Sequence, residues 1–287
     1  MTPTYTLLIS PEELQPHLAA SGWVVFDCRH ALRDPESGAR AYREAHIPGA
    51  RFAHLERDLS GKVGPGTGRH PLRDIGAFCA WLAAQGVNPA SQVVAYDADQ
   101  GAFAARLWWM LRSLGHPHVA VLDGGLARWR REGRATDNQV PLPRLGTFDG
   151  SPNPRMVAEL PEVEALSRAS EGVLFDARGA ERYRGESEPI DPKPGHIPGA
   201  ANLPFTGNLR PDGAFLPAAA LKERFRAALG GVPSGKTVHY CGSGVSACHN
   251  LLALAVAGLE PGRLYVGSWS QWCQDPRRAV ATGPAPR

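Results

Sequence analysis

Short apolar runs alternate along this chain with longer stretches whose apolar residues recur at helical spacing, and the alternation persists through two successive halves. In the first half an opening strand runs from Tyr5, and a helix starts at Ser10-Pro11-Glu12-Glu13: a cap residue, proline at the first helical position, then early acids. Trp23-Val24-Val25-Phe26-Asp27, Val93-Val94-Ala95-Tyr96-Asp97 and Val119 to Leu122 read as buried strands. Helices are expected around Asp74 to Gln85, Phe103 to Leu114 and Leu126 to Glu132. Leu174-Phe175-Asp176 and Val238-His239-Tyr240 are strands of the second half, and Ala247 to Ala257 is a helix with Cys248, Leu251, Leu252, Ala255 and Val256 on one face.

The two halves repeat one order of events. Asp27 corresponds to Asp176, His46-Ile47-Pro48-Gly49-Ala50 to His196-Ile197-Pro198-Gly199-Ala200, Asp97 to Cys241 and Gly124 to Gly267, at offsets of 149, 150, 144 and 143. This divides the chain into a first domain at 1–140, a Pro/Gly-rich linker at 141–154 and a second domain at 155–287. Strand–helix alternation in each implies an α/β fold with a mainly parallel sheet, helices on both faces, and ligands at the carboxyl ends of the strands.

Cys241 stands at such an end. Gly242 and Gly244 let the loop Gly242-Ser243-Gly244-Val245-Ser246-Ala247 curl so that peptide N–H groups face the sulfur. The helix that begins a few residues on adds its positive end. Both favour the thiolate, which is the nucleophilic form, and Ser243 and Ser246 can add hydroxyl donors. A cysteine that only filled a core would need no such glycine nest. At the matching place in the first half stands Asp97, followed by Ala98-Asp99-Gln100-Gly101-Ala102-Phe103, so that loop lacks the thiol and is expected to be catalytically silent. His46 to Tyr96 is also longer than His196 to Tyr240. The surplus falls around Gly61 to Gly68, and a loop lengthened there is expected to reach the second domain's loop.

Other residues are read more soberly. His46 and His196 sit in a motif common to an active and a silent half, which makes them turn-fixing residues. Asp27 and Asp176 are expected to bond loop amides. Of Arg178, Arg182 and Arg184, one is a candidate to grip an anionic substrate by paired N–H contacts. The Gly61 to Gly68 run lacks the Gly-Lys-Ser/Thr ending of a phosphate loop. Trp108, Trp109, Trp129, Trp269, Trp272 and Cys248 are read as packing residues.

Composition narrows the function classes. The chain has 287 residues, 43% hydrophobic and 21% charged, with 31 basic against 28 acidic side chains and a formal charge of +3. That balance suggests no nucleic-acid partner, and no apolar run is long enough to span a bilayer. The amino terminus lacks a secretion signal, and five cysteines without a close Cys-x-x-Cys pair argue against a disulfide framework or a metal site. A reducing cytoplasm fits best.

Cys241-Gly242-Ser243-Gly244-Val245-Ser246-Ala247, the two His-Ile-Pro-Gly-Ala segments, Asp123-Gly124-Gly125 with Trp129, and Gly267-Ser268-Trp269 together resemble the tandem-domain rhodanese family, the thiosulfate and 3-mercaptopyruvate sulfurtransferases. The resemblance covers essentially the whole chain and implies two rhodanese-like domains, the first an inactive copy. It implies a persulfide on Cys241 formed from a small-molecule donor and discharged to cyanide, a thiol or thioredoxin, with no cofactor or metal. It also assigns Ser243 to proton transfer together with an acid from the first domain, Glu56 by position, and Arg182 to the substrate anion. Gly242 and Ser243 after the cysteine match mercaptopyruvate enzymes rather than thiosulfate enzymes, which place Arg and Lys there. The second arginine of the mercaptopyruvate enzymes is absent from Glu188-Pro189-Ile190-Asp191. Two other functions share parts of the pattern: a non-catalytic sulfur relay that hands its persulfide to a protein, and a cysteine-loop phosphatase, whose closing arginine would have to stand where Ala247 is.

Overall fold

The structure is a computed structural model that describes residues 4–142, 145–169 and 174–284. The chain ends, residues 143 and 144 of the expected linker, and residues 170–173 lie outside the described residues. The chain forms two units: 1–61, 72–153 and 210–215 make up the first, and 62–71, 154–209 and 216–287 the second.

The first unit contains β1 (Leu8–Ile9), α1 (Pro11–Leu14), β2 (Trp23–Asp27), α2 (Ser37–Glu44), β3 (Arg51–Phe52), α3 (Ile75–Ala84), β4 (Gln92–Tyr96), α4 (Ala102–Ser113), β5 (Val119–Leu122) and α5 (Gly125–Arg131). Its five strands pair in the order β1-β5-β4-β2-β3, all parallel. The inner strands are continuous apolar runs because a parallel sheet is covered on both faces. The start of α1 follows its sequence: Ser10 Oγ accepts the Glu13 N–H at 3.2 Å while the Glu13 carboxylate accepts the Ser10 N–H at 2.8 Å. Such a cap stabilises a helix by about 1 kcal/mol.

The second unit contains α6 (Leu160–Leu166), β6 (Leu174–Asp176), α7 (Ala180–Arg184), β7 (Ala200–Asn202), α8 (Ala218–Leu229), β8 (Val238–Tyr240), α9 (Ala247–Val256), β9 (Arg263–Leu264) and α10 (Ser268–Trp272). Its sheet order is β7-β6-β8-β9, again parallel. β8 is flanked by strands on both sides, so the residue after Tyr240 emerges from the middle of the carboxyl edge.

Each unit is tied at that edge by the same knot. Asp27 and Asp176 accept the amide two residues on, at 3.0 Å each, and hold the guanidinium of that residue, Arg29 or Arg178. Arg29 reaches on to the Ala45 carbonyl and Arg178 to that of Gly195, at 2.7 Å in both cases. His46 and His196 are fully buried, stack on Tyr42 and Tyr183, and bond those tyrosines' carbonyls through Nδ1 at 2.7 Å. They shape the turn, as their presence in both halves predicts. Tyr96 and Tyr240 accept the Ile47 and Ile197 amides, at 3.2 and 3.1 Å, on their hydroxyls. Burial and the Asp176 charge drive the Tyr240 phenol well above its ordinary pKa, so it stays protonated and serves as a donor.

Tyr240→Phe removes a hydroxyl that nothing replaces. It is expected to cost about 1–3 kcal/mol, the penalty for orphaned buried polar groups, read as a lower midpoint in urea unfolding. An unchanged midpoint would show that the hydroxyl is not part of the knot.

Candidate active site

Cys241 follows β8 directly and is only 2% exposed. Its backbone is braced from the segment around α10. The Trp269 and Ser270 amides donate to the carbonyls of Cys241 and Gly242, both at 2.9 Å, and the Cys241 amide donates to Ser268 Oγ at 3.1 Å. Ser268 makes this brace from a left-handed backbone, φ 52°, a conformation that non-glycine residues seldom adopt.

With those carbonyls tied outward, the loop turns N–H groups toward the sulfur. Burial alone would push the thiol up. The Ser246 hydroxyl and the Ser243 and Ala247 amides outweigh it, and the Cys241 pKa falls below that of an ordinary thiol although Asp176 opposes the shift. Gly244 carries φ +76°, and a Cβ there would meet the Val266 carbonyl oxygen at 2.5 Å. The loop therefore needs glycine for its torsion and for its close approach. Cys248, fully buried, turns its Sγ to the Gly244 carbonyl at 3.3 Å and is a packing residue.

Residues 62–71 bring two further side chains that the sequence did not single out. His70 Nδ1 lies 2.7 Å from Ser243 Oγ, both residues 4% exposed, so imidazole and hydroxyl are hydrogen-bonded beside the cysteine loop. Arg69 forms an ion pair with Asp191 and places its amide 3.0 Å from Ser270 Oγ. Gly68 permits this approach, since a Cβ there would come within 2.4 Å of the Gly267 carbonyl oxygen. The length of the Gly61 to Gly68 stretch was the available signal; nothing local reveals a partner 173 positions away.

The three candidate arginines separate clearly. Arg178 is buried in the knot with Asp176 and lies over the Trp269 ring at 4.9 Å. Arg184 pairs with exposed Glu186. Arg182 bonds Glu188 through Nε and Nη2, at 3.2 and 2.7 Å, and Asp191 through Nη2 at 3.2 Å. A Cβ on Gly242 would sit 3.5 and 3.6 Å from its two terminal nitrogens, which puts this guanidinium beside the cysteine loop. Glu56 belongs to the first unit and is exposed, its amide 3.1 Å from His54 Nδ1. Among the described residues no group of three or more His, Cys, Asp or Glu could hold a metal ion, and no helix is long and apolar enough to cross a membrane.

The corresponding loop of the first unit has the same construction around a different atom. Leu126 and Ala127 amides donate to the carbonyls of Asp97 and Ala98 at 2.9 and 2.8 Å. The Asp97 carboxylate accepts the Gly101, Phe103 and Ala104 amides at 2.8, 2.9 and 3.3 Å. Its own side chain fills the anion position.

Comparison with known proteins agrees with this geometry. The rhodanese-like domain model matches twice, at residues 10–132 and 159–275. A probable 3-mercaptopyruvate sulfurtransferase of Pseudomonas aeruginosa is 51% identical over 96% of this chain and 98% of its own length. A putative thiosulfate sulfurtransferase of Mycobacterium tuberculosis, SseB, is 39% identical over 97% and 98%. Among solved structures, SseA of Escherichia coli, a 3-mercaptopyruvate sulfurtransferase, superposes with a TM-score of 0.80 at 33% identity, covering 93% of this chain and all of that one. The 3-mercaptopyruvate sulfurtransferase of Leishmania major gives a TM-score of 0.82 at 31% identity, over 94% and 74%.

Ser246→Ala removes one of the donors that hold the Cys241 sulfur as an anion. The pH profile of Cys241 alkylation by iodoacetamide should move to higher pH, with slower reaction at neutral pH. A profile that stayed in place would remove the hydroxyl from the cradle.

Proposed function

The chain belongs to the rhodanese-like family of sulfurtransferases, and we propose that it moves sulfur from 3-mercaptopyruvate, by way of a persulfide on Cys241, to a thiol acceptor. The observation that carries this reading is the convergence of the Ser246 hydroxyl and two loop amides on the Cys241 sulfur, which lowers its pKa.

In the first half-reaction the Cys241 thiolate attacks the donor's sulfur. The bond between that sulfur and carbon breaks, its electron pair passes to the carbon as the enolate of pyruvate, and the donor's thiol proton ends on that carbon to give pyruvate. The persulfide anion takes the place of the thiolate among the same donors. In the second half-reaction an acceptor thiolate attacks the outer sulfur and regenerates the Cys241 thiolate. Ser243 and His70, hydrogen-bonded at 2.7 Å, are suited to carry the donor's thiol proton. The acid expected at Glu56 is included in that role on the resemblance alone. Thioredoxin, with its reactive dithiol, is the protein acceptor we infer. The cytoplasm suits this chemistry, since all five cysteines are free thiols.

Mercaptopyruvate is preferred to thiosulfate because Gly242 and Ser243 leave the position after the cysteine uncharged and bring a hydroxyl–imidazole pair to the donor. Thiosulfate has no proton to relay, since its leaving sulfite departs as a stable anion.

Two measurements test the reading. Steady-state turnover should favour mercaptopyruvate over thiosulfate, and Cys241→Ser should abolish transfer from both; substantial residual transfer would mean the nucleophile lies elsewhere. His70→Asn should lower kcat with mercaptopyruvate by about 10²-fold, the usual contribution of a general acid–base group, with a much smaller effect on thiosulfate. Equal losses for both donors would remove the pair from the proton path.

A further inference from the structure

Residues 62–71 carry His70 to Ser243, yet the segment has little of its own to hold it there. Its branched aliphatic side chain, Val63, is 58% exposed, so apolar burial does not fix its place. Hydrogen bonds to the turn at α10 do. Gln271 Nε2 donates to the Gly66 carbonyl at 2.5 Å, and Gln274 Nε2 to that of Thr67 at 2.8 Å. Both of these bonds are exposed, where water competes for the same groups. Ser270 differs from the glutamines: it is 3% exposed, and its Oγ accepts the Arg69 amide at 3.0 Å.

Ser270 thereby holds both sides of the hydroxyl–imidazole pair. Its amide fixes the carbonyl of Gly242, the residue before Ser243, at 2.9 Å. Its hydroxyl fixes the amide of Arg69, the residue before His70. One residue thus sets the backbone on each side of the 2.7 Å bond between Ser243 and His70. The ion pair of Arg69 with Asp191 acts at the end of a long side chain, whereas the hydroxyl acts on the peptide itself. The hydroxyl proton goes to the Gly267 carbonyl at 3.1 Å, which leaves the oxygen as an acceptor for Arg69.

The internal repeat supplies a control. Residues 210–215 stand between β7 and α8, as 62–71 stand between β3 and α3, and they belong to the first unit. At the offset of 143, Ser270 corresponds to Ala127. The Ala127 amide braces the Ala98 carbonyl at 2.8 Å, just as Ser270 braces Gly242. Alanine has no hydroxyl, however, and 210–215 is held by other means. The Asp123 carboxylate takes the Phe215 amide at 2.8 Å, and Arg131, the counterpart of Gln274, reaches the Asp212 carbonyl at 3.5 Å. The brace on the loop is therefore common to both halves, while a hydroxyl that reaches the incoming segment occurs beside the cysteine.

We propose that Ser270 is a positioning residue for the reaction: its hydroxyl sets the register of 62–71 against the cysteine loop and so brings the His70 imidazole onto Ser243. The proposal rests on the proton path assigned to that pair. In this role Ser270 touches no donor and acts through His70.

Ser270→Ala removes the hydroxyl and keeps the amide brace, and Ala127 shows that alanine suits this turn. The Gly267 carbonyl keeps the Gln271 amide at 3.0 Å. With mercaptopyruvate kcat should fall about ten-fold, the scale expected when an acid–base group is displaced. KM and the pH profile of Cys241 alkylation should stay in place, and thiosulfate turnover should change much less. In a His70→Asn background Ser270→Ala should add no further loss, because both changes remove one function. Hydrogen–deuterium exchange of 62–71 should quicken, with exchange in α8 and α9 unchanged. A loss that multiplies onto that of His70→Asn, an equal loss for both donors, a shifted alkylation profile or unchanged exchange would each overturn the proposal. Should Ser270→Ala unfold the protein, Ser270→Cys, near in size but a weak acceptor, carries the kinetic arms of the test with the same outcomes. If His70→Asn left mercaptopyruvate turnover intact, the proton path would fall and the register would be judged by exchange alone: faster exchange of 62–71 in Ser270→Ala upholds it, and unchanged exchange overturns it.

Discussion

The chemistry of this protein depends on one constraint: peptide N–H groups at the carboxyl edge of a parallel sheet converge on a single point and offset the burial of whatever side chain occupies it. The point is built twice. In the first unit the Asp97 carboxylate fills it and is satisfied by Gly101, Phe103 and Ala104. In the second, Cys241 fills it, and a sulfur that burial would otherwise keep protonated is tipped toward thiolate. The brace is also common to both, since amides at 126 and 127, or 269 and 270, fix the carbonyls of the two residues that enter the loop. The two loops thus differ in the residue at the focus rather than in the scaffold around it.

The helices and central strands were legible because their signals are local. Trp23–Asp27, Val119–Leu122 and Val238–Tyr240 begin and end where the apolar runs do, and the Ser10 cap follows from residue type. The repeat placed Cys241 opposite Asp97 and so set the half that carries a thiol at this point apart from the half that carries a carboxylate. The edge strands Arg51–Phe52, Ala200–Asn202 and Arg263–Leu264 are two or three residues long and carry no period to read. They are strands because a neighbour offers a free ladder, which is a tertiary fact. Position after β6 made Arg178, Arg182 and Arg184 equal candidates, and only the family resemblance singled out Arg182. Arg69 and His70 were not found, since their meaning lies in contacts with Asp191 and Ser243 across more than a hundred residues. Only the surplus length of their loop was visible.

The surroundings of the cysteine show how charge can be concentrated without being left unpaired. Arg69, Arg178 and Arg182 are matched by Asp176, Glu188 and Asp191 in one linked set of ion pairs. Buried charges demand such partners, because a lone one costs far more than its pairing returns. The arrangement is graded by depth: carboxylates inside, guanidinium edges outside. A neutral cluster can in this way present a positive face, and position rather than net charge decides what it attracts.

The division of the chain into units does not follow its order. Residues 62–71 are taken up by the second unit and 210–215 by the first, where the Phe215 amide donates to Asp123 at 2.8 Å. Each half of the gene therefore encodes a fragment of the other half's architecture. A polypeptide cut between 153 and 154 would leave the cysteine-bearing piece with its thiol and its loop but without imidazole or second guanidinium, and the first copy cannot be discarded as ballast.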